Sequence, residues 1–251
     1  MLELRRNGDI REALRGTTVG KGKILTVLFL PAVLNFTISS LIAGLAAYQA
    51  YARGLPPEEI GKEVMLALFT YNFYWSILQA CFGLLAVKLM GGWRAVKEYY
   101  REEVGVSGAA LVLLLAAFSQ GVIMGFQFLN AVLSGGWSAY TATWREVVSR
   151  LPLPSKVYLV AVAPLTAGFF EEIIWRLYGI TRLEELWGPR RANLVQALAF
   201  AVWHGLSLHT IATFVIGYVY GLVFLKRRKL VVLTAAHVLT DVIGFTAILM
   251  V

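Results

Sequence analysis

The feature that most constrains this chain is its long stretches without a single Lys, Arg, Asp or Glu, among them 24–50, 106–133 and 192–225. A helix needs about 20 apolar residues to cross a hydrocarbon core of roughly 30 Å, and each of these is long enough. Composition agrees. Of 251 residues, 58% are hydrophobic and 15% charged, against about 45–50% and about 25% in soluble domains. A soluble enzyme, a disordered chain and a disulfide-knit module are excluded. The net charge of +8 suggests no nucleic-acid partner in so apolar a chain, because basic loops flanking membrane spans account for it. The single cysteine, Cys81, has no partner for an internal disulfide. The partner implied is a lipid bilayer.

Charge-free stretches and turn residues predict an all-α, polytopic bundle of about seven spans: 24–50, 64–87, 106–133, 157–180, 194–206, 210–225 and 230–251. The run from 192 to 225 is too long for one span, and Gly205, Ser207 and His209 supply a turn in its middle. Residues 1–251 then form one integral membrane domain, with a cytoplasmic segment over 1–23 and the chemistry-bearing helices over 157–251. The first apolar run is longer than the core of a signal peptide and follows a mostly polar segment, so it is expected to stay as an anchor. Residues 2–14 and 137–148 are candidates for helices lying on the inner and outer surfaces, or for loops.

The distribution of Lys and Arg sets an orientation. With the N-terminus in the cytoplasm and the C-terminus outside, the inner segments hold Arg5, Arg6, Arg11, Arg15, Lys21, Lys23, Lys88, Arg94, Lys97, Arg101, Arg182, Arg190, Arg191, Lys226, Arg227, Arg228 and Lys229, seventeen in all. The outer segments hold five: Arg53, Lys62, Arg145, Arg150 and Lys156. The setting expected is the plasma membrane of a prokaryote.

Ionisable residues inside spans are costly and so are functional suspects. They are Glu171, Glu172 and Arg176 in the fourth helix, His204 in the fifth, and His237 and Asp241 in the seventh. Counted at about 1.5 Å per residue from the inner helix ends, Glu171, Glu172, His204, His237 and Asp241 fall at one level, roughly 10–16 Å deep. Glu172 and Arg176 are i and i+4, acid first, the better orientation for a helical ion pair. Glu171 points elsewhere and is left for chemistry. His237 and Asp241 are also i and i+4 and share a face. A carboxylate and an imidazole beside one water make a general base, and a second imidazole can donate to an oxyanion. Pro164 and Gly168 are expected to loosen the helix just before Glu171.

Each residue also has a plain structural reading. Glu172–Arg176 alone would be a structural ion pair, and a lone histidine a packing residue. The stripe Leu198, Phe200 and Trp203 is a lipid- or core-facing surface with no assigned role. His209 falls in the turn as an interfacial residue. Asn72, Gln79, Gln120, Gln127 and Asn130 are interhelical hydrogen-bonding residues. The common level of the ionisable groups favours a functional site.

Three segments carry a family pattern. Glu171-Glu172-Ile173-Ile174-Trp175-Arg176 fits EExxxR, Phe200-Ala201-Val202-Trp203-His204 fits FxxxH, and His237-Val238-Leu239-Thr240-Asp241 fits HxxxN/D. In this order, each on an expected span, they resemble the CPBP family of CAAX proteases and bacteriocin-processing enzymes, also called Abi. The resemblance covers 157–251 and implies an intramembrane endopeptidase with a cavity open to the cytoplasm. By motif position, Glu171 and His204 would activate water, Glu172 would pair with Arg176, and His237 with Asp241 would form the oxyanion hole. Phe200 would pack behind them. Many members carry Asn where this chain has Asp241, and an Asp must be protonated to donate there. The resemblance favours glutamate-activated water without a cofactor; the alternative is a zinc metalloendopeptidase with Glu171, His204 and His237 as ligands. Admissible substrates are a prenylated CAAX tail, a leader peptide or a lipid-linked precursor. Competing functions are a non-proteolytic immunity or scaffold protein and an ion-coupled transporter. The first would not require two carboxylates and two histidines at one depth. The second usually shows symmetric halves, whereas the ionisable groups here lie in the C-terminal part.

Overall fold

A computed structural model describes residues 19–251, so the surface helix considered over 2–14 lies outside the described residues. Nine helical runs follow one another: α1 Lys21–Ala52, α2 Pro57–Thr70, α3 Tyr74–Leu89, α4 Trp93–Tyr100, α5 Val106–Leu133, α6 Trp137–Arg150, α7 Leu153–Trp203, α8 Leu208–Arg227 and α9 Val231–Leu249. No strand occurs among the described residues. Five of these helices, α1, α5, α7, α8 and α9, are long and apolar enough to cross a membrane, and the bent pair α2–α3 makes six. Leu41, Leu45, Leu113 and Leu114 stand exposed on α1 and α5, as lipid-facing side chains do.

The expected second span, 64–87, is bent by 45° between α2 and α3. No Gly or Pro marks the break at 71–73. Tertiary bonds hold it instead: Ser155 Oγ donates to the Thr70 carbonyl (3.2 Å) and Tyr158 Oη to that of Asn72 (3.3 Å). Carbonyls released by a broken helix inside a membrane need such donors. The expected surface segment 137–148 is helical in α6, where Tyr140 meets Trp137 at a tilt and Trp144 edge-on.

At 51 residues α7 would be roughly 75 Å long if straight, more than twice the bilayer core. It folds back at Gly188, whose φ of 75° is open to glycine, with Pro189 beginning the return. Trp175 on the outgoing limb meets Phe200 and Trp203 on the return, at ring separations of 5.5 and 5.8 Å. The return limb is helical several residues before the expected start at 194. Around Pro164, which has no N–H to give, the outgoing limb is wound more widely. Tyr158–Val162 and Ala167–Ile180 bond in the i to i+5 pattern of a π-helix. Loosening before Glu171 takes this form rather than a break.

Glycines let the motif-bearing helices touch. A Cβ on Gly168 would lie 2.5 Å from Val238 Cγ2 and 3.0 Å from the Val238 backbone nitrogen on α9. On α8, Gly221 lies under Asn193 and Gln196 of the α7 return limb, whose amides donate to the Tyr218 (3.1 Å) and Gly217 (3.0 Å) carbonyls. Gly221→Val should therefore cost about 1–3 kcal/mol by overpacking. It is read as a lowered thermal midpoint in detergent. Gly121→Val, where an added Cβ meets nothing within 4 Å, should leave that midpoint unchanged.

Candidate active site

Glu171, Glu172 and Arg176 lie on the π-helical stretch of α7 and are essentially inaccessible to solvent. His204 ends the return limb, and Gly205 (φ 95°) turns the chain immediately after it. The expected turn is there: Ser207 and Thr210 cap the start of α8 with reciprocal side-chain and backbone bonds. His237 and Asp241 sit one turn apart on α9. All six sequence-predicted residues meet in one cluster.

Glu172 is its structural centre. Its Oε1 lies 3.3 Å from Arg176 Nη1 and accepts a 2.8 Å hydrogen bond from His237 Nδ1. Phe200 covers the guanidinium, 4.1 Å from ring centroid to Arg176 Cζ, and its edge meets His204 and His237 at 4.7 and 6.1 Å. The i, i+4 pair thus survives the wider winding, with an imidazole added to it.

Glu171 is held differently. Its Oε1 accepts from Gln79 Nε2 on α3 and Trp203 Nε1 on α7, both at 2.7 Å. Two donors on one oxygen fix the carboxylate plane and leave Oε2 to the cavity. Oε2 is 3.9 Å from His204 Nε2 and 3.8 Å from His237 Nε2. These separations are too long for direct hydrogen bonds and suit one bridging water. Both rings are turned by their other nitrogen. His204 Nδ1 is 2.8 Å from the Phe200 carbonyl, which can only accept, so Nδ1 carries the proton and Nε2 presents a lone pair. Asp241 Oδ2 is 3.8 Å from His237 Nε2.

One partner of Glu171 went unassigned in the sequence. Trp203 sits in a stripe that reads as plain apolar surface, yet its indole N–H is spent on Glu171. Its backbone carbonyl is held in turn by Asn35 Nδ2 at 2.7 Å. Gln79 is the interhelical donor expected, and its partner is Glu171. Gln120 likewise bridges helices, to the Thr240 carbonyl at 2.6 Å. The ring of His209, in the turn after His204, lies 5.9 Å from that of His204.

A tetrahedral zinc ion with ligands about 2.0–2.2 Å away sets ligand atoms about 3.3–3.6 Å apart. The two separations around Glu171 Oε2, 3.8 and 3.9 Å, are wider. Among the described residues no three His, Cys, Asp or Glu side chains are grouped to hold a metal ion. Glu171, His204 and His237 do not fit zinc in this arrangement.

A cavity of about 530 Å³ rises from this cluster. Its floor is Glu171, Arg176, Tyr220 and His237, and its walls run along α5 through Gln127 and Asn130 and along α9 through Gly244 to Ile248. Tyr140 and Trp144 of α6 line its far end.

Residues 153–243 match the family model described as Type II CAAX prenyl endopeptidase Rce1-like. The match covers little more than a third of the chain. It begins with α7 and takes in all three motifs, in agreement with the resemblance to the CPBP family. No curated protein and no solved structure matches the chain. Within the matched segment the buried Glu172–Arg176 pair gives a direct test. Removing one partner leaves an uncompensated buried charge, which costs about 3–5 kcal/mol, whereas replacing both with apolar groups is often neutral. Arg176→Met should lower the thermal midpoint sharply. Adding Glu172→Leu should recover little of the loss, because it also takes the acceptor from His237 Nδ1.

Proposed function

We propose that this protein is an intramembrane endopeptidase that hydrolyses a peptide bond with water activated by Glu171 and His204, without a metal. The observation that carries this reading is the free Glu171 Oε2 facing the Nε2 atoms of both histidines at 3.8–3.9 Å. The Rce1-like match over the same helices supports it. With the two limbs of α7 counted separately and α2–α3 as one, the bundle has seven passes.

A water held by Glu171 Oε2 and His204 Nε2 gives one proton to Glu171 as its oxygen bonds to the scissile carbonyl carbon. The carbonyl oxygen becomes an oxyanion. His237, protonated on both nitrogens, donates to it from Nε2 while Nδ1–H stays on Glu172. Glu171 then passes its proton to the departing nitrogen, the C–N bond breaks, and a carboxylic acid and an amine leave. Gln79 and Trp203 position Glu171, and Glu172 with Arg176 positions His237. Asp241 lies on the cavity side of His237, where as a protonated acid it adds a second donor to the oxyanion. A prenylated CAAX tail is the substrate that the matched family's description names; reaching this site requires that the cavity face the leaflet holding the tail.

Purified protein is tested against a peptide library. Glu171→Ala and His204→Ala should each lower cleavage by about 10²–10⁴-fold, the range for removing general acid–base catalysis. The bundle should keep its wild-type helical circular dichroism. Full activity in Glu171→Ala removes the mechanism, and inhibition by a chelator reversed by zinc removes its metal-free form. Asp241→Asn, which keeps a donor at this position, should retain activity. Asp241→Leu should lose about 10²–10³-fold, as when an oxyanion-hole donor is removed.

A further inference from the structure

The cavity and the basic residues lie at opposite ends of the bundle. Toward one end, the cavity runs from Glu171 to the α5–α6 and α9 ends, past Asn130, Trp144, His209 and Ile248. Toward the other, it is stopped by packing: Trp175, Tyr178, Ile180, Phe224 and Leu233 beneath the cluster are fully buried. That closed end is tied across by Arg182 donating to the Leu89 carbonyl (2.7 Å), the Leu230 N–H to that of Tyr99 (2.9 Å), and Arg228 pairing with Glu184 (2.7 Å).

The basic residues crowd the closed end. Helix ends and turns there hold Lys21, Lys23, Lys88, Arg94, Lys97, Arg101, Arg182, Arg190, Arg191 and the run Lys226–Lys229, and the four arginines of 1–18 precede them in sequence. The open end holds five: Arg53, Lys62, Arg145, Arg150 and Lys156. Of these, Arg53 and Arg150 share Glu63, and Lys62 bridges Glu59 and Glu146 at 2.7 Å. Each cationic group lies in a short loop or at a helix end, where a Lys/Arg excess marks the cytoplasmic side.

We propose that the cavity opens on the non-cytoplasmic face of the membrane, so that its substrate is an apolar peptide segment of an exported or outer-leaflet-anchored polypeptide. A tail anchored in the cytoplasmic leaflet meets the closed, basic end instead. This departs from the cytoplasmic opening that the family resemblance implies. Tyr140 and Trp144 at the mouth are amphipathic aromatics of the kind that sit at a membrane–water boundary. Gln127 and Asn130 along the wall supply amide donors and acceptors for the backbone of an extended peptide. The substrate half of the proposal rests on the proteolytic reading; the direction of the cavity does not.

Cysteine accessibility separates the two. In full-length Cys81→Ser protein, which lacks the one native thiol, single cysteines are placed at Ser134 (open end), Asn130 (cavity wall) and Arg94 (closed end). On intact cells a membrane-impermeant maleimide should modify Ser134→Cys and Asn130→Cys, while Arg94→Cys is modified only after permeabilisation. Labelling of Arg94→Cys with protection of Ser134→Cys overturns the direction, as does labelling of Ser134→Cys with Asn130→Cys inaccessible. Adding Glu171→Ala should leave the pattern unchanged, since labelling needs no catalysis. Quenched fluorescent peptides outside sealed vesicles should then be cleaved only in right-side-out preparations. Cleavage confined to inside-out vesicles overturns the substrate class. No cleavage in either, with the expected labelling, removes the proteolytic reading and its substrate class and leaves the direction standing.

Discussion

The arrangement depends on one carboxylate. Glu172 faces the Arg176 guanidinium and the His237 imidazole with the same oxygen, and so joins the outgoing limb of α7 to α9 in an interior with little water to screen either charge. Burying such groups costs several kcal/mol each, and the mutual attraction offsets that only where geometry and further contacts are good. Phe200 adds such a contact by lying across the guanidinium. Because Phe200 and His204 are one turn apart on the return limb, the stacking that covers Arg176 also sets where His204 stands. Electrostatics and packing thus fix three chain segments against one another with few residues.

Glu171 is the counterpart. It sits next to Glu172 in sequence, yet its partners differ: neutral donors on one oxygen, two imidazoles across a water's distance from the other. Two neighbouring acids are thereby separated in role by environment. One is tied into a charge pair, and the other is oriented but left open toward the cavity.

Much of this was legible in the sequence, and the exceptions have physical causes. The absence of ionised residues locates spans reliably because their insertion is so costly, and the same cost made the six ionisable residues stand out. The turn at Gly205 was marked by Gly, Ser and Thr chemistry. The α2–α3 break was not legible, since Ser155 and Tyr158, some eighty residues away, stabilise it. Trp203 was read as apolar surface because an indole looks the same in sequence whether its N–H has a partner or not. The return limb starts directly after Gly188-Pro189, although the basic residues there resemble a longer loop. The wide winding of Ala167–Ile180 has no periodicity signal of its own, because nearly every side chain in it is buried and no polar face reveals the pitch.

The hairpin of α7 has a consequence for how such proteins diversify. It places Glu171 and His204 on one uninterrupted piece of chain, and α9 completes the set. The cavity walls draw on both sides of the matched segment's boundary: Asn35, Trp75, Gln127 and Tyr140 lie outside it, and Tyr158, Ala163, Thr213 and Ile216 inside it. Part of what would touch a guest, along α1, α3, α5 and α6, is therefore encoded separately from the residues proposed to cut it. Mutations on those helices can reshape the vestibule, and with it the choice of guest, without altering the α7 and α9 residues of the cluster.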